Sequence, residues 1–255
     1  MEIFFPDRVP ARPTARRRVP SVGRVLAPLA VLALVLAFGL LAWLVTAGIT
    51  QGFDRAVILA LRTDGNPADP IGPPWVEEMA RDVTALGSYV VLGLLLFAAL
   101  GYLLLIRKRG VAGLLLASVL GGVVLSNLLK LGFDRPRPDL PHAARVFTAS
   151  FPSGHAMLSA VTFLTLGAVL TRVETRPRVR AYLLGLAVAL TLTVGFTRIY
   201  LGLHYPTDVM AGWCVGAAWA MLCWMTALRL QRRGRIEPPG RGGEAAAARG
   251  ADPAG

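Results

Sequence analysis

Cysteine, lysine and acidic residues are all scarce in this chain of 255 residues, and each shortage closes off a class of protein. The two cysteines, Cys214 and Cys223, lie inside one apolar segment. Nine residues of helix turn them to opposite faces, so neither a disulfide framework nor a thiolate metal site is implied. Lysine occurs only at Lys108 and Lys130, so arginine makes up the rest of the 27 basic residues, a skew that fits codon bias in a GC-rich genome. Charged residues amount to 16% against 55% hydrophobic ones, the balance of a chain dissolved largely in lipid. Internal repeats are absent. The net charge of +12 would suit a nucleic-acid binder, but the arginines cluster between apolar runs too long for a soluble domain, so the charge is topological and no nucleic-acid partner is expected.

Runs of roughly 17 to 25 apolar residues mark bilayer-crossing helices. They fall near 26–49, 86–106, 111–130, 156–171, 181–198 and 208–228, the fourth being short for a span. Basic clusters follow every second span: Arg107, Lys108 and Arg109; then Arg172, Arg176, Arg178 and Arg180; then Arg229, Arg232, Arg233 and Arg235. With Arg8, Arg12, Arg16, Arg17, Arg18 and Arg24 before the first span, they place both termini in the cytoplasm and require an even number of crossings. The expectation is an all-α, polytopic membrane protein, a six-transmembrane-helix bundle over residues 25–230 in the cell (inner) membrane. Residues 1–24 and 231–255 read as disordered cytoplasmic tails. Val45, Thr46 and Ala47 would pass as a signal-peptide cleavage site, but the preceding apolar stretch is too long for one, and an uncleaved helix is expected. Residues 50–85 form the first outer loop. In it Trp75, Met79, Val83 and Leu86 recur at helical spacing opposite Glu77, Glu78, Arg81 and Asp82, which fits either a helix lying in the membrane interface or a connector packed on the bundle.

That orientation gathers nearly all the unusual polar residues at the outer surface, in three segments. The first runs from Lys130 to Arg137 and Pro138, the second is Pro152, Ser153, Gly154 and His155, and the third holds Thr197, Arg198, His204 and Asp208. Phosphoryl transfer asks a protein chiefly for positioning and for positive charge around the equatorial oxygens, and Lys130, Arg137 and Arg198 supply charge. Cations that merely anchored helix ends by snorkelling would belong on the cytoplasmic side. Ser153 and Gly154 precede the fourth span, where free backbone N–H groups make an anion site; an ordinary helix cap would look the same, but His155 follows at once. His204 and Asp208 are four apart, so at the start of the sixth helix they share a face. The carboxylate can then accept the Nδ1 proton and leave Nε2 free to attack phosphorus, Pro206 fitting the first turn. His155 remains to protonate the leaving oxygen. A metal is not expected, since the three cations would repel it and no further ligand is evident. His142 reads as a solvated loop residue, and Arg135 and Asp139 as lining the entrance, with Arg135 ranked below the three signature cations.

The three segments resemble, in spacing and order, the signatures of the type 2 phosphatidic acid phosphatase superfamily: Lys, six residues, Arg-Pro; then Pro-Ser-Gly-His; then Ser-Arg, five residues, His, three residues, Asp. Thr197 stands where the family usually has serine. The resemblance implies an integral membrane lipid phosphatase, without cofactor, acting through a phosphohistidine on His204. In it His155 is the general acid/base and Asp208 orients the nucleophile, while Lys130, Arg137, Ser153, Gly154 and Arg198 bind phosphate. A lipid phosphate or diphosphate entering from the bilayer is the expected substrate: undecaprenyl diphosphate, phosphatidylglycerol phosphate or phosphatidic acid, with oligomeric state undetermined. A phosphotransferase that passes phosphate to another hydroxyl is the alternative, and a silent anion-binding protein a further one, opposed by the intact constellation of His204, Asp208 and His155. Soluble vanadate-dependent haloperoxidases carry similar motifs, but six lipid-length helices set this chain apart.

Overall fold

The computed structural model describes residues 22–140 and 148–232; His142 and the greater part of both tails fall outside them. Among the described residues there are eight helices: α1 (Val22–Thr46), α2 (Gln51–Ala60), α3 (Pro74–Ala85), α4 (Tyr89–Leu105), α5 (Arg109–Gly132), α6 (Gly154–Val173), α7 (Pro177–Tyr200) and α8 (Pro206–Arg232). Five of them, α1, α5, α6, α7 and α8, are long and apolar enough to cross a bilayer. α3 followed by α4, with a bend of 47° between them, is together long and apolar enough for a sixth crossing. Alone, the 17 residues of α4 reach about 25 Å, short of a hydrocarbon core of about 30 Å. The break falls at Leu86, Gly87 and Ser88, where the Ser88 hydroxyl caps α4 by accepting from the Val91 N–H at 3.2 Å and starts a new helix direction.

The loop after α1 is more ordered than its sequence suggests. In place of a simple connector it holds α2 and an antiparallel hairpin, β1 (Arg62–Thr63) and β2 (Asn66–Pro70), before α3 begins. Asp64 and Gly65 sit at the hairpin turn, with Gly65 at φ +75°, a two-residue turn signal legible in the sequence but overlooked. α3 packs on α7 and buries Ala80 while Trp75 and Met79 stay exposed. Its apolar stripe therefore faces away from the protein, as a helix lying in the membrane interface requires.

α6 forms the centre of the bundle, with 67% of its span buried, whereas none of the span of α1 is. Lipid tails are as apolar as leucine, so packing rather than hydrophobicity holds such helices together, and small residues let backbones approach. Gly212 and Gly216 do this for α8: a Cβ on Gly212 would stand 2.7 Å from the Ser153 carbonyl oxygen, and one on Gly216 2.5 Å from that of Met157. α8 is thereby pressed against the first turns of α6. Lys108 directly precedes α5 and Lys130 lies near its end, so the two lysines sit at opposite ends of one crossing helix, about 33 Å apart along its axis. Cys214 and Cys223 are unpaired thiols.

Candidate active site

Five separate pieces of chain meet at one end of the bundle, the end away from Arg107, Lys108, Arg109 and Arg176. α5 brings Lys130, the segment after it Arg135 and Arg137, the start of α6 Ser153, Gly154 and His155, the end of α7 Arg198, and the turn into α8 His204 and Asp208. Lys130 reaches over the N-terminus of α6, where a Cβ on Gly154 would lie 3.4 Å from its Nζ. Glycine there keeps open the approach to the free N–H groups of that helix. Arg198 is buried and donates to the Thr84 hydroxyl at 3.2 Å. Its Nε and the Ser153 hydroxyl are buried without a hydrogen-bond partner. Buried donors are normally satisfied, so two orphans beside an ammonium and a helix N-terminus describe a place suited to an oxyanion. Thr197 turns its hydroxyl back to the Val194 carbonyl at 2.7 Å. Gly87, in the α3–α4 break, makes room for His155: a Cβ there would meet the His155 Cδ2 at 3.3 Å and Val194 at 2.5 Å.

His204 stands before the sixth crossing helix, not in its first turn. Gly202, at φ +68°, ends α7 in the left-handed conformation that glycine favours. Arg62 covers that end by donating to the Tyr200 carbonyl at 2.8 Å. α8 then starts at Pro206, and a residue ahead of proline is disfavoured in the helical region, which leaves His204 on the intervening turn. Its ring is 1% exposed. One Nη of Arg137 lies 3.0 Å from Nε2 and also donates to the Leu203 carbonyl at 2.9 Å, while the rest of the guanidinium holds Thr148. A guanidinium can only donate, so Nε2 carries the lone pair and the ring proton sits on Nδ1. Burial lowers the imidazole pKa to about 4, with Asp208 opposing and the charges of Arg137 and Arg198 reinforcing the drop. The ring is therefore neutral at pH 7.

The sequence pairs His204 directly with Asp208, but Nδ1 to Oδ2 measures 3.6 Å, long for a hydrogen bond. The Ser150 hydroxyl stands between them, 3.3 Å from Nδ1 and donating to Asp208 Oδ2 at 2.5 Å. Asp208 also accepts from the Tyr205 N–H at 3.0 Å. Its other oxygen accepts from Arg135 at 2.5 Å, and the second Nη of Arg135 donates to Asp54 at 2.6 Å. Arg135 is more than an entrance residue: two carboxylates grip it and its guanidinium lies 4.4 Å from the Tyr205 ring centroid. Burial works against its charge, but Asp208 and Asp54 outweigh this and raise its pKa. Asp139 is exposed. Sequence reasoning missed Ser150, Asp54 and Arg62. Ser150 adjoins the second motif and was within reach, whereas nothing in the sequence near Asp54 points to a partner more than 80 residues away.

A cavity of about 890 Å³ opens beside this network, walled by Arg55, Asp134, Arg135, Tyr205 and the end of α1. It shares Arg135 and Tyr205 with the network and takes Pro138 from the first signature, but none of Lys130, Arg137, Ser153, Gly154, His155, Arg198, His204 and Asp208 lines it. Among the described residues no three His, Cys, Asp or Glu side chains gather as a metal site would require.

Residues 111–232 match the PAP2 superfamily. Phosphatidylglycerophosphatase B of Bacillus subtilis is 30% identical over 187 residues, 72% of this chain and 87% of that one. A lipid A 1-phosphatase of Rhizobium etli is 29% identical over 199 residues, 67% of this chain and 82% of its own length. Among solved structures, a transmembrane PAP2-type phosphatidylglycerolphosphate phosphatase from Bacillus subtilis superposes with a TM-score of 0.72 at 27% identity, over 80% of this chain and 98% of that one. A relative matched over most of its length and a fold shared with a solved member together identify this chain as a membrane phosphatase of the PAP2 superfamily.

Proposed function

We propose that the protein hydrolyses a lipid phosphate or diphosphate through a phosphohistidine on His204, at the periplasmic or exterior face of the cell (inner) membrane, with both termini in the cytoplasm. The observation that carries this reading is the proton arrangement of His204: Nε2 unprotonated toward Arg137, Nδ1 turned to Ser150 and Asp208. An arriving phosphate displaces the contact between Arg137 and Nε2 and takes the guanidinium as its own partner, with Lys130, Arg198, Ser153 and the α6 N-terminus around its other oxygens. Nε2 attacks phosphorus while the bond from phosphorus to the lipid oxygen breaks in line. His155 gives its proton to the leaving oxygen, then takes one from the water that attacks the phosphohistidine, so that phosphate leaves and both histidines return to their starting states. The cation formed on the His204 ring is stabilised by Asp208 through Ser150. Orientation is supported by the arginine clusters at the opposite end of the bundle, and lateral entry of a lipid by the depth of the site at a helix-end boundary.

The test is phosphate release by the purified, detergent-solubilised protein in excess EDTA, from phosphatidylglycerol phosphate, undecaprenyl diphosphate and phosphatidic acid. Release that survives EDTA and disappears in His204→Ala is expected, and the relative rates name the substrate. A folded protein that releases phosphate from none of them contradicts the hydrolase reading. Label passed from the lipid to an added alcohol instead of water would make it a phosphotransferase.

A further inference from the structure

Asp54 belongs to none of the three signature segments and comes from α2, in the first outer loop, yet it is wholly buried against the residues behind His204. Its Oδ2 accepts from Arg135 at 2.6 Å and from the Thr207 hydroxyl at 2.7 Å, and its Oδ1 from the Thr207 N–H at 3.1 Å. Arg135 also donates to the Thr207 hydroxyl at 2.8 Å and to Asp208. We propose that Asp54 and Arg135 are positioning residues for the nucleophile: Arg135 fixes the Asp208 carboxylate, and Asp54 restores the negative charge that Arg135 would otherwise cancel. The inference rests on the phosphohistidine reading and deepens it.

The argument is one of charge balance in a dry site. Asp208 alone would place a full negative charge behind Ser150 and His204, but a carboxylate paired with a guanidinium is close to neutral at a distance, and a neutral pair does little for a cationic ring. A second carboxylate on the far side of Arg135 leaves the three groups with one net negative charge. The planar fork of arginine suits this, since its two Nη atoms engage two carboxylates at once, which the single point charge of lysine cannot do. The charged groups facing His204 from the other elements, Arg137 from the segment after α5, Arg198 from α7 and His155 from α6, are cationic or neutral. The Asp54–Arg135–Asp208 chain is the negative counterweight. Asp54 also caps α8, whose second residue is Thr207, and a purely structural cap is the competing account.

The two accounts part on charge. Asp54→Asn keeps the shape and an acceptor for the Thr207 N–H but removes the charge, and the double variant Asp54→Asn with Arg135→Gln returns the cluster to one net negative charge. On mixed micelles of phosphatidylglycerol phosphate, kcat of Asp54→Asn should fall about 10- to 100-fold, as loss of such outer partners does elsewhere, with KM changed less than about threefold. The double variant should be at least about fivefold more active than Asp54→Asn. A structural cap predicts a double variant no better than the single one. That result, or wild-type kcat in Asp54→Asn, or an Asp54→Asn protein that no longer elutes as a folded species in detergent, overturns the proposal while leaving hydrolysis by the wild type and its loss in His204→Ala untouched. A wild type without turnover on this lipid, on undecaprenyl diphosphate and on phosphatidic acid fails the phosphohistidine reading instead.

Discussion

At the scale of single residues, the side chain that decides most is Ser150, a hydroxyl lodged between an imidazole and a carboxylate. It takes the Nδ1 proton as acceptor and hands Asp208 its own, so Ser150→Ala should break the link without moving either neighbour. On the proposed mechanism kcat falls about 10- to 100-fold and KM stays near its original value, a split that steady-state kinetics on micellar substrate would read. The pH response of His204 is a second residue-level expectation. Burial disfavours the charged ring in the folded protein, so the unfolded chain binds more protons there between about 6.5 and about 4, and stability falls as pH drops through that window. The melting temperature in detergent should decline below about pH 6.5, less so in His204→Gln, while the part of kcat/KM governed by this ring stays flat down to about pH 4. All eight residues named from sequence lie among the described residues at one end of the bundle. They were legible because phosphate chemistry demands cations and histidines in fixed spacings. Ser150, Arg135 and Asp54 were not read in these positions because their role depends on contacts across the chain, such as the 2.6 Å bond from Arg135 to Asp54, which no local spacing encodes.

Helices, by contrast, announce themselves through length and apolarity, and the expected crossings near 26–49, 111–130, 156–171, 181–198 and 208–228 each have a helix. The stretch at 86–106 did not reveal that α4 has only 17 residues and follows α3 through a bend of 47°, since the amphipathic α3 has the composition of a surface helix and joins its neighbour at an angle. The break has its own use. Gly87 lies against the side chains of His155 and Val194 there, and a Cβ 2.5 Å from Val194 would force something to shift. Gly87→Ala should therefore cost about 1–3 kcal/mol of stability and, by displacing His155, lower kcat as well, to be measured by thermal melting beside turnover. Where α6 and α8 cross, Gly216→Leu should separate the helices and carry the first turn of α8, with Asp208, away from Ser153. Loss of a monodisperse detergent peak together with activity is the expected result, and retention of both would contradict the close crossing.

For the molecule as a whole, the arrangement that matters is the segregation of charge between the two ends of the bundle: arginines beside the turns α4–α5 and α6–α7, and Lys130, Arg137 and Arg198 at the other end. Sequence conveyed this through the positive-inside pattern more fully than it conveyed any side-chain contact, because topology depends on the count of charges and not on their geometry. With Cys214 and Cys223 replaced, a cysteine placed at Asp139 should react in intact cells with an impermeant maleimide, and one placed at Arg178 only after the cells are opened. The near-absence of lysine gives the same question a second answer without any substitution. Lys108 and Lys130 lie at opposite ends of α5, so an impermeant acylating reagent, followed by mass spectrometry of the peptides, treats them as a natural pair of tags for the two sides of the membrane. On the proposed mechanism the tag at Lys130 is also the one that bound phosphate would shield, which makes a single amine both a compass for the protein's orientation and a gauge of how full its pocket is.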